Sequence, residues 1–169
     1  MEELAANGGR PFKQDSFPAW PVYDEKELDN LADVVRSGNW WRVTGTKVAE
    51  FEKKFAQFQG SRFCLGVTNG TNALELALSV LGITEGDEVI VPGMTFISTG
   101  LAVVNCNATP VLVDIDAETL CMIPEEFEKA ITPKTKAVIP VHMAGHGCDM
   151  KRICEIAKKN HIAVIEDAA

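Results

Sequence analysis

The chain has 169 residues, enough for one globular unit by the prior of roughly 100 to 200 residues per domain, and its 46% hydrophobic content supplies a core. Its 16 basic and 24 acidic residues give a formal charge of −8, and no basic block is long enough to neutralise a run of phosphates, which excludes nucleic acid as a partner class. No apolar run approaches the roughly 20 residues of a membrane span, and Cys64, Cys106, Cys121, Cys148 and Cys154 form an odd set without zinc-type spacing or a preceding secretory leader, which points to a reducing cytoplasm.

The polar opening, residues 1–15, reads as a mobile arm within an amino-terminal segment of residues 1–23. Asp24 and Glu27 make a capping box, and Leu28, Leu31 and Val35 recur at helical spacing until Ser37-Gly38 stops the helix. Val48, Phe51, Phe55 and Phe58 mark a second amphipathic helix closed by Gly60. Between the two lies Gly38-Asn39-Trp40-Trp41-Arg42-Val43-Thr44-Gly45. Adjacent tryptophans cannot both face one core, so one is expected to anchor it while the other, with Arg42, lines a ligand or subunit surface. Residues 24–62 thus form a region of front helices with an intervening loop.

From residue 63, short β-branched runs alternate with helical patterns. Strands are expected at Phe63 to Thr68, Glu88 to Pro92, Pro110 to Asp114, Ala137 to His142 and Ile162 to Glu166. Helices are expected from Gly70 to Leu81, near Thr95 to Asn105, from Pro124 to Ile131 and from Met150 to Asn160. Continuous apolar strands buried by helices imply an α/β fold with a mainly parallel sheet over residues 63–169. In such sheets ligands gather outside the carboxyl ends of the strands, which here carry Asn69-Gly70-Thr71, Pro92 to Phe96, Asp114, His142 and Asp167.

Val67-Thr68-Asn69-Gly70-Thr71-Asn72 is an anion site in outline, because the first amides of a helix lack intrahelical acceptors and sit at the positive end of its dipole, with the Thr71 hydroxyl as a further donor. Asn69 or Thr71 serving only as a cap is the alternative. A phosphate cradle there, an aromatic face at Phe96 and a carboxylate at Asp167 are together what pyridoxal phosphate requires: the helix end holds the phosphate, the ring stacks, and the carboxylate keeps the pyridine nitrogen protonated. Phe96 as plain core, Asp167 as the cap of a following turn, and His142 as a structural residue remain open alternatives. Asp114, Asp116 and Glu118 read as a solvated strand-exit cluster, since nothing around them has metal-ligand spacing. Lys47, Lys134 and Lys136 read as solvated.

Several stretches in order carry a specific resemblance: Phe17-Pro18-Ala19-Trp20-Pro21, Ser37-Gly38-Asn39-Trp40-Trp41-Arg42, Thr68-Asn69-Gly70-Thr71-Asn72-Ala73-Leu74, Gly86-Asp87-Glu88-Val89-Ile90-Val91-Pro92, Pro140-Val141-His142-Met143-Ala144-Gly145 and Ile165-Glu166-Asp167-Ala168-Ala169. After residue 17 the chain resembles the amino-terminal part of the DegT/DnrJ/StrS-type aminotransferases, which modify sugars and aminocyclitols within the fold-type I pyridoxal-phosphate superfamily. The resemblance implies the amino-terminal part of the large domain of that fold. It implies Asn69, Gly70 and Thr71 at the phosphate, Phe96 stacked on the cofactor, Asp167 on the pyridine nitrogen and Ala169 against the same ring, with Trp40, Trp41 and Arg42 as candidates for substrate contact. Glutamate or glutamine would be the amino donor, a keto sugar or keto cyclitol the acceptor, and a homodimer the full-length assembly. The family's Schiff-base lysine would lie beyond residue 169, so the 169-residue chain by itself is expected to be inactive and prone to aggregate. A dehydratase with histidine at that position, and a non-catalytic or partner-dependent paralogue, are the alternatives. A dinucleotide-binding domain ranks lower because no G-x-G-x-x-G turn follows the first strand.

Overall fold

A computed structural model describes residues 3–169; Met1 and Glu2, the first residues of the expected arm, lie outside the described residues. The chain divides into two compact units, the first ending at Leu65 and the second spanning Gly66–Ala169.

In the first unit the capping box forms as the sequence predicts. The Asp24 carboxylate accepts from the Lys26 amide at 2.7 Å and the Glu27 carboxylate accepts from the Asp24 amide at 2.8 Å, opening helix α1 (Glu25–Ser37). Gly38, at φ 69°, ends it in the left-handed conformation that glycine adopts without a Cβ penalty. Helix α2 (Lys47–Gln59) closes the same way at Gly60. Its phenylalanines stack along one face, with ring centroids of Phe51 and Phe55 at 5.5 Å. The expectation that one of the paired tryptophans anchors a core is corrected: Trp40 is 67% and Trp41 72% exposed, and among the described residues the first unit contributes none to a buried hydrophobic cluster.

The second unit is a three-layered α/β structure. Its sheet runs β2 (Thr109–Val113), β1 (Glu88–Pro92), β3 (Thr135–Val138), β4 (Ala163–Val164), and every pairing is parallel. Side chains alternate across the sheet with period two, so each strand feeds both faces. Val89, Val91, Ala137 and Ile139 join Leu74 and Leu78 of α3 (Gly70–Val80) and Ala102 and Val103 of α4 (Ser98–Asn105). Ile90, Val113 and Val138 instead meet Phe127 of α5 (Pro124–Ala130) and Ile153, Ile156 and Ala157 of α6 (Met150–Lys159). Each fully buried aliphatic side chain contributes about 1.5–3 kcal/mol in transfer terms, which is why the continuous apolar runs of the sequence become the interior of the sandwich.

Three sequence expectations are adjusted. The run Phe63 to Thr68 is not a strand; Phe63 is 80% and Leu65 57% exposed, and the sheet does not extend to it. The strand expected from Ala137 to His142 stops at Val138 because Pro140 has no amide proton to donate; the ladder resumes only as a single parallel bridge between Val141 and Asp167. The helix expected near Thr95 begins at Ser98, leaving Thr95 and Phe96 in the loop after β1. Because β2 and β3 flank β1 on opposite sides, the connections diverge from the carboxyl ends of β1 and β3, and that divergence opens a crevice.

Candidate functional site

The crevice is a cavity of about 270 Å³ lined by Gly70 and Leu74 of α3, Thr95, Phe96 and Ser98 after β1, Val141 to Ala144 after β3, and Asp167 and Ala169. Four residues singled out by sequence, Gly70, Phe96, Asp167 and Ala169, therefore share one wall system.

Asp167 is held from both backbone sides. Its amide donates to the Pro140 carbonyl at 2.9 Å, and its carbonyl accepts from the His142 amide at 3.0 Å. Its side chain is equally fixed: Oδ2 accepts from the Thr99 hydroxyl at 2.9 Å and Oδ1 from the Ala169 amide at 3.3 Å. Thr99 is fully buried, and its oxygen lies 2.8 Å from that of Thr95. Since Thr99 spends its one proton on the carboxylate, its oxygen is the acceptor for Thr95. The result is a directed chain, Thr95 to Thr99 to Asp167. Sequence reading missed Thr99; the signal was a threonine in the first turn of the helix that follows the Thr95-Phe96 loop.

At the other end of the cavity, Asn69 caps α3 by accepting from the Asn72 amide at 2.9 Å. The amides of Gly70 and Thr71 precede the helical ladder and have no acceptor among the described residues, so the positive end of α3 keeps two donors available. A Cβ built on Gly70 meets nothing within 4 Å, so open space lies against the turn. Phe96 is 76% exposed among the described residues, so its ring is open at the cavity.

The chain after β3 forms the remaining wall. His142 Nδ1 accepts from the Cys148 amide at 3.1 Å, so the neutral ring carries its proton on Nε2, where Glu166 Oε2 lies at 3.1 Å. Ala144, at φ 51° and ψ 29°, sits in the left-handed region at the cavity edge. Such a residue costs on the order of 1 kcal/mol.

The other nominated residues lie in the first unit or away from the cavity. Trp40, Trp41 and Arg42 belong to the turn before α2. Arg42 grips Glu52 in a bidentate pair, Nε to Oε1 at 3.1 Å and Nη2 to Oε2 at 2.7 Å, and that hydrogen bond and charge raise the guanidinium above its ordinary value. Asp116 is a turn former. Its Oδ1 accepts from the amides of Thr119 at 2.8 Å and Glu118 at 3.0 Å, and these bonds, Thr119 first, hold its carboxyl below the usual carboxylate value.

Residues 21–169 match the DegT/DnrJ/EryC1/StrS aminotransferase family. The L-glutamine:2-deoxy-scyllo-inosose aminotransferase of Streptomyces kanamyceticus is 39% identical over 171 aligned positions, covering 98% of this chain and 40% of that protein. The crystal structure of 3-amino-5-hydroxybenzoic acid synthase superposes with a TM-score of 0.90 at 46% identity, covering 93% of this chain and 41% of that one. NtdA from Bacillus subtilis, solved with bound cofactor PMP, gives a TM-score of 0.81 at 38% identity over 85% of this chain and 33% of its own. The chain thus spans about two fifths of the length of the curated relatives it matches. No helix among the described residues is long and apolar enough to cross a membrane.

Proposed function

We propose, from the premise that this chain belongs to the DegT/DnrJ/EryC1/StrS aminotransferase family, that it supplies the pyridoxal-phosphate cradle of an enzyme moving an amino group from glutamate or glutamine to a keto sugar or keto cyclitol. The observation that carries the reading is the Asp167 carboxylate, fixed by the buried Thr99 hydroxyl within one cavity that also holds Gly70, Phe96 and Ala169. The donor set fits the cofactor chemically: paired amides at a helix terminus for a phosphate, an open aromatic face for a ring, and an oriented carboxylate for a ring nitrogen.

When bound, pyridoxal phosphate supplies an electron sink for the carbon bearing the amino group, provided its ring nitrogen keeps a proton. Asp167 would hold that proton, and Thr99 and the Ala169 amide would fix the carboxylate's orientation. Gly70 and Thr71 would bind the phosphate, while Asn69 freezes the turn that presents them. Phe96 would stack on the ring face and Ala169 would border it. Trp40, Trp41 and Arg42 are proposed to contact the acceptor, with the Glu52 pair setting the angle of the guanidinium. Residues 63–169 are the cofactor domain in this reading, residues 24–62 the substrate-side helices and residues 1–23 an arm; a cytoplasmic homodimer is part of the same proposal.

The test uses the protein at its full natural length, titrated with pyridoxal phosphate by visible absorbance and assayed for glutamine- or glutamate-dependent amination of keto cyclitols and keto sugars. Asp167→Ala is expected to cut the rate by at least ~100-fold, the scale of a lost proton-handling group. Absence of cofactor binding in the wild type, or an unchanged rate in Asp167→Ala, would sink the reading.

A further inference from the structure

Beyond this cavity, two thiols line one region of the second unit. Cys121 follows β2 in the turn that ends at the Ile115–Met122 bridge, and Cys148 closes the loop after β3. Both are free and buried, at 4% and 8% exposure. The Cys121 thiol donates to the His146 carbonyl at 3.4 Å and the Cys148 thiol to the Val141 carbonyl at 3.1 Å. Both side chains belong to one buried cluster, and the Cys121 thiol bonds to a carbonyl only two residues before Cys148, so the sulfurs come from adjacent loops into one region. They also border a second cavity, of about 370 Å³, shared with Asp116, His146 and Asp149. A small polar oxidant therefore has a way in, although the sulfurs themselves are packed.

We infer that Cys121 and Cys148 form an oxidation site that closes to an intramolecular disulfide on exposure to a hydroperoxide. Burial, followed by the neighbouring Cys121 side chain, pushes the Cys148 thiol up to about 12, and the proposal therefore gives Cys148 the resolving role and Cys121 the first attack. The Cys121 sulfur displaces hydroxide from hydrogen peroxide: an S–O bond forms, the O–O bond breaks, and the hydroxide takes up the thiol proton as water. Cys148 sulfur then attacks the sulfenic sulfur. An S–S bond forms, the S–O bond breaks, and the departing hydroxide carries off the Cys148 proton as a second water. One peroxide is reduced to two waters while two thiols are oxidised to a disulfide.

The bond would fasten the turn after β2 to residues 142–148, the segment whose His142, Met143 and Ala144 wall the first cavity. None of the steps needs the cofactor, so a mass readout distinguishes failure of this site from failure of the aminotransferase reading.

The experiment takes the full-length protein, reduces it, exposes it to hydrogen peroxide, alkylates remaining thiols under denaturation and digests it at lysine, arginine and glutamate. Cys121 then lies in residues 119–125 and Cys148 in residues 137–151, each as the sole cysteine of its peptide. The expected product is the pair of peptides joined, lighter by the two thiol hydrogens and separated by reductant. Recovery of both peptides alkylated and unlinked, or linkage of either to Cys64, Cys106 or exposed Cys154, would overturn the assignment. In Cys148→Ser, Cys121 is expected to stop at the sulfenic acid and be captured by dimedone; no adduct, with the wild type still crosslinking, would overturn Cys121 as the attacking sulfur.

Discussion

Thr99 has one proton, no exposure to water and a carboxylate 2.9 Å away. Replacing it with valine keeps the shape and deletes the donor, leaving Asp167 with the longer Ala169 bond alone and the Thr95 hydroxyl without its acceptor. Thr99→Val is expected to cost about 1–3 kcal/mol in urea unfolding and to weaken pyridoxal-phosphate affinity several-fold; full retention of both would show that Thr99 only fills space. Asp116 gives a pH-dependent counterpart. Its folded-state pKa is depressed, so its contribution is present above the ordinary carboxylate range and is lost as pH falls through the depressed value. Asp116→Ala should therefore lower the urea midpoint at pH 7, and the gap from wild type should narrow towards pH 3. At this scale the sequence exposed the residues with chemistry at strand ends, Asp167 and Phe96. It hid Thr99, because a threonine inside a helix reads as ordinary core until the carboxylate from 68 positions later in the chain is beside it.

The helices and strands were legible where local signals and burial agreed. β1 occupies the predicted Glu88–Pro92 because a β-branched run closed by proline and glycine has few other uses, and α1 starts where its capping box does. The failures share a cause. Phe63 to Thr68 carries strand-forming side chains, yet a strand exists only through a neighbour's main chain, which no local pattern reports. α5 shows the reverse dependence: it has seven residues, too few to persist alone, and is held through Phe127, which is fully buried between β2 and α6. Phe127→Ala is expected to destabilise the second unit by about 3–5 kcal/mol, measured by denaturant unfolding; a loss below about 1 kcal/mol would show that the site collapses around the gap.

For the molecule as a whole, the sheet has two edges among the described residues, β2 with Leu112 69% exposed and the two-residue β4. Further apolar side chains stand in solvent, including Phe63, Val80 and Ile97. Open edges and exposed apolar side chains favour association. The 169-residue chain expressed by itself is accordingly expected to self-associate, read by light scattering after size exclusion; a monodisperse monomer with a cooperative melt would contradict this.

The strand order also prescribes a schedule. β2 docks on β1, β3 on the other side of β1, and β4 on β3, so every strand after the first finds a partner among residues already synthesised. The sheet can grow outward from its first strand as the chain leaves the ribosome, each new strand adding to one already made. Asp167 is among the last residues of that sequence to emerge. Thr99, Pro140 and His142, which hold it, precede it by 27 residues or more for the first two and by 25 for the third, so the residue meets partners that earlier segments supply, and only the Ala169 amide is added after it.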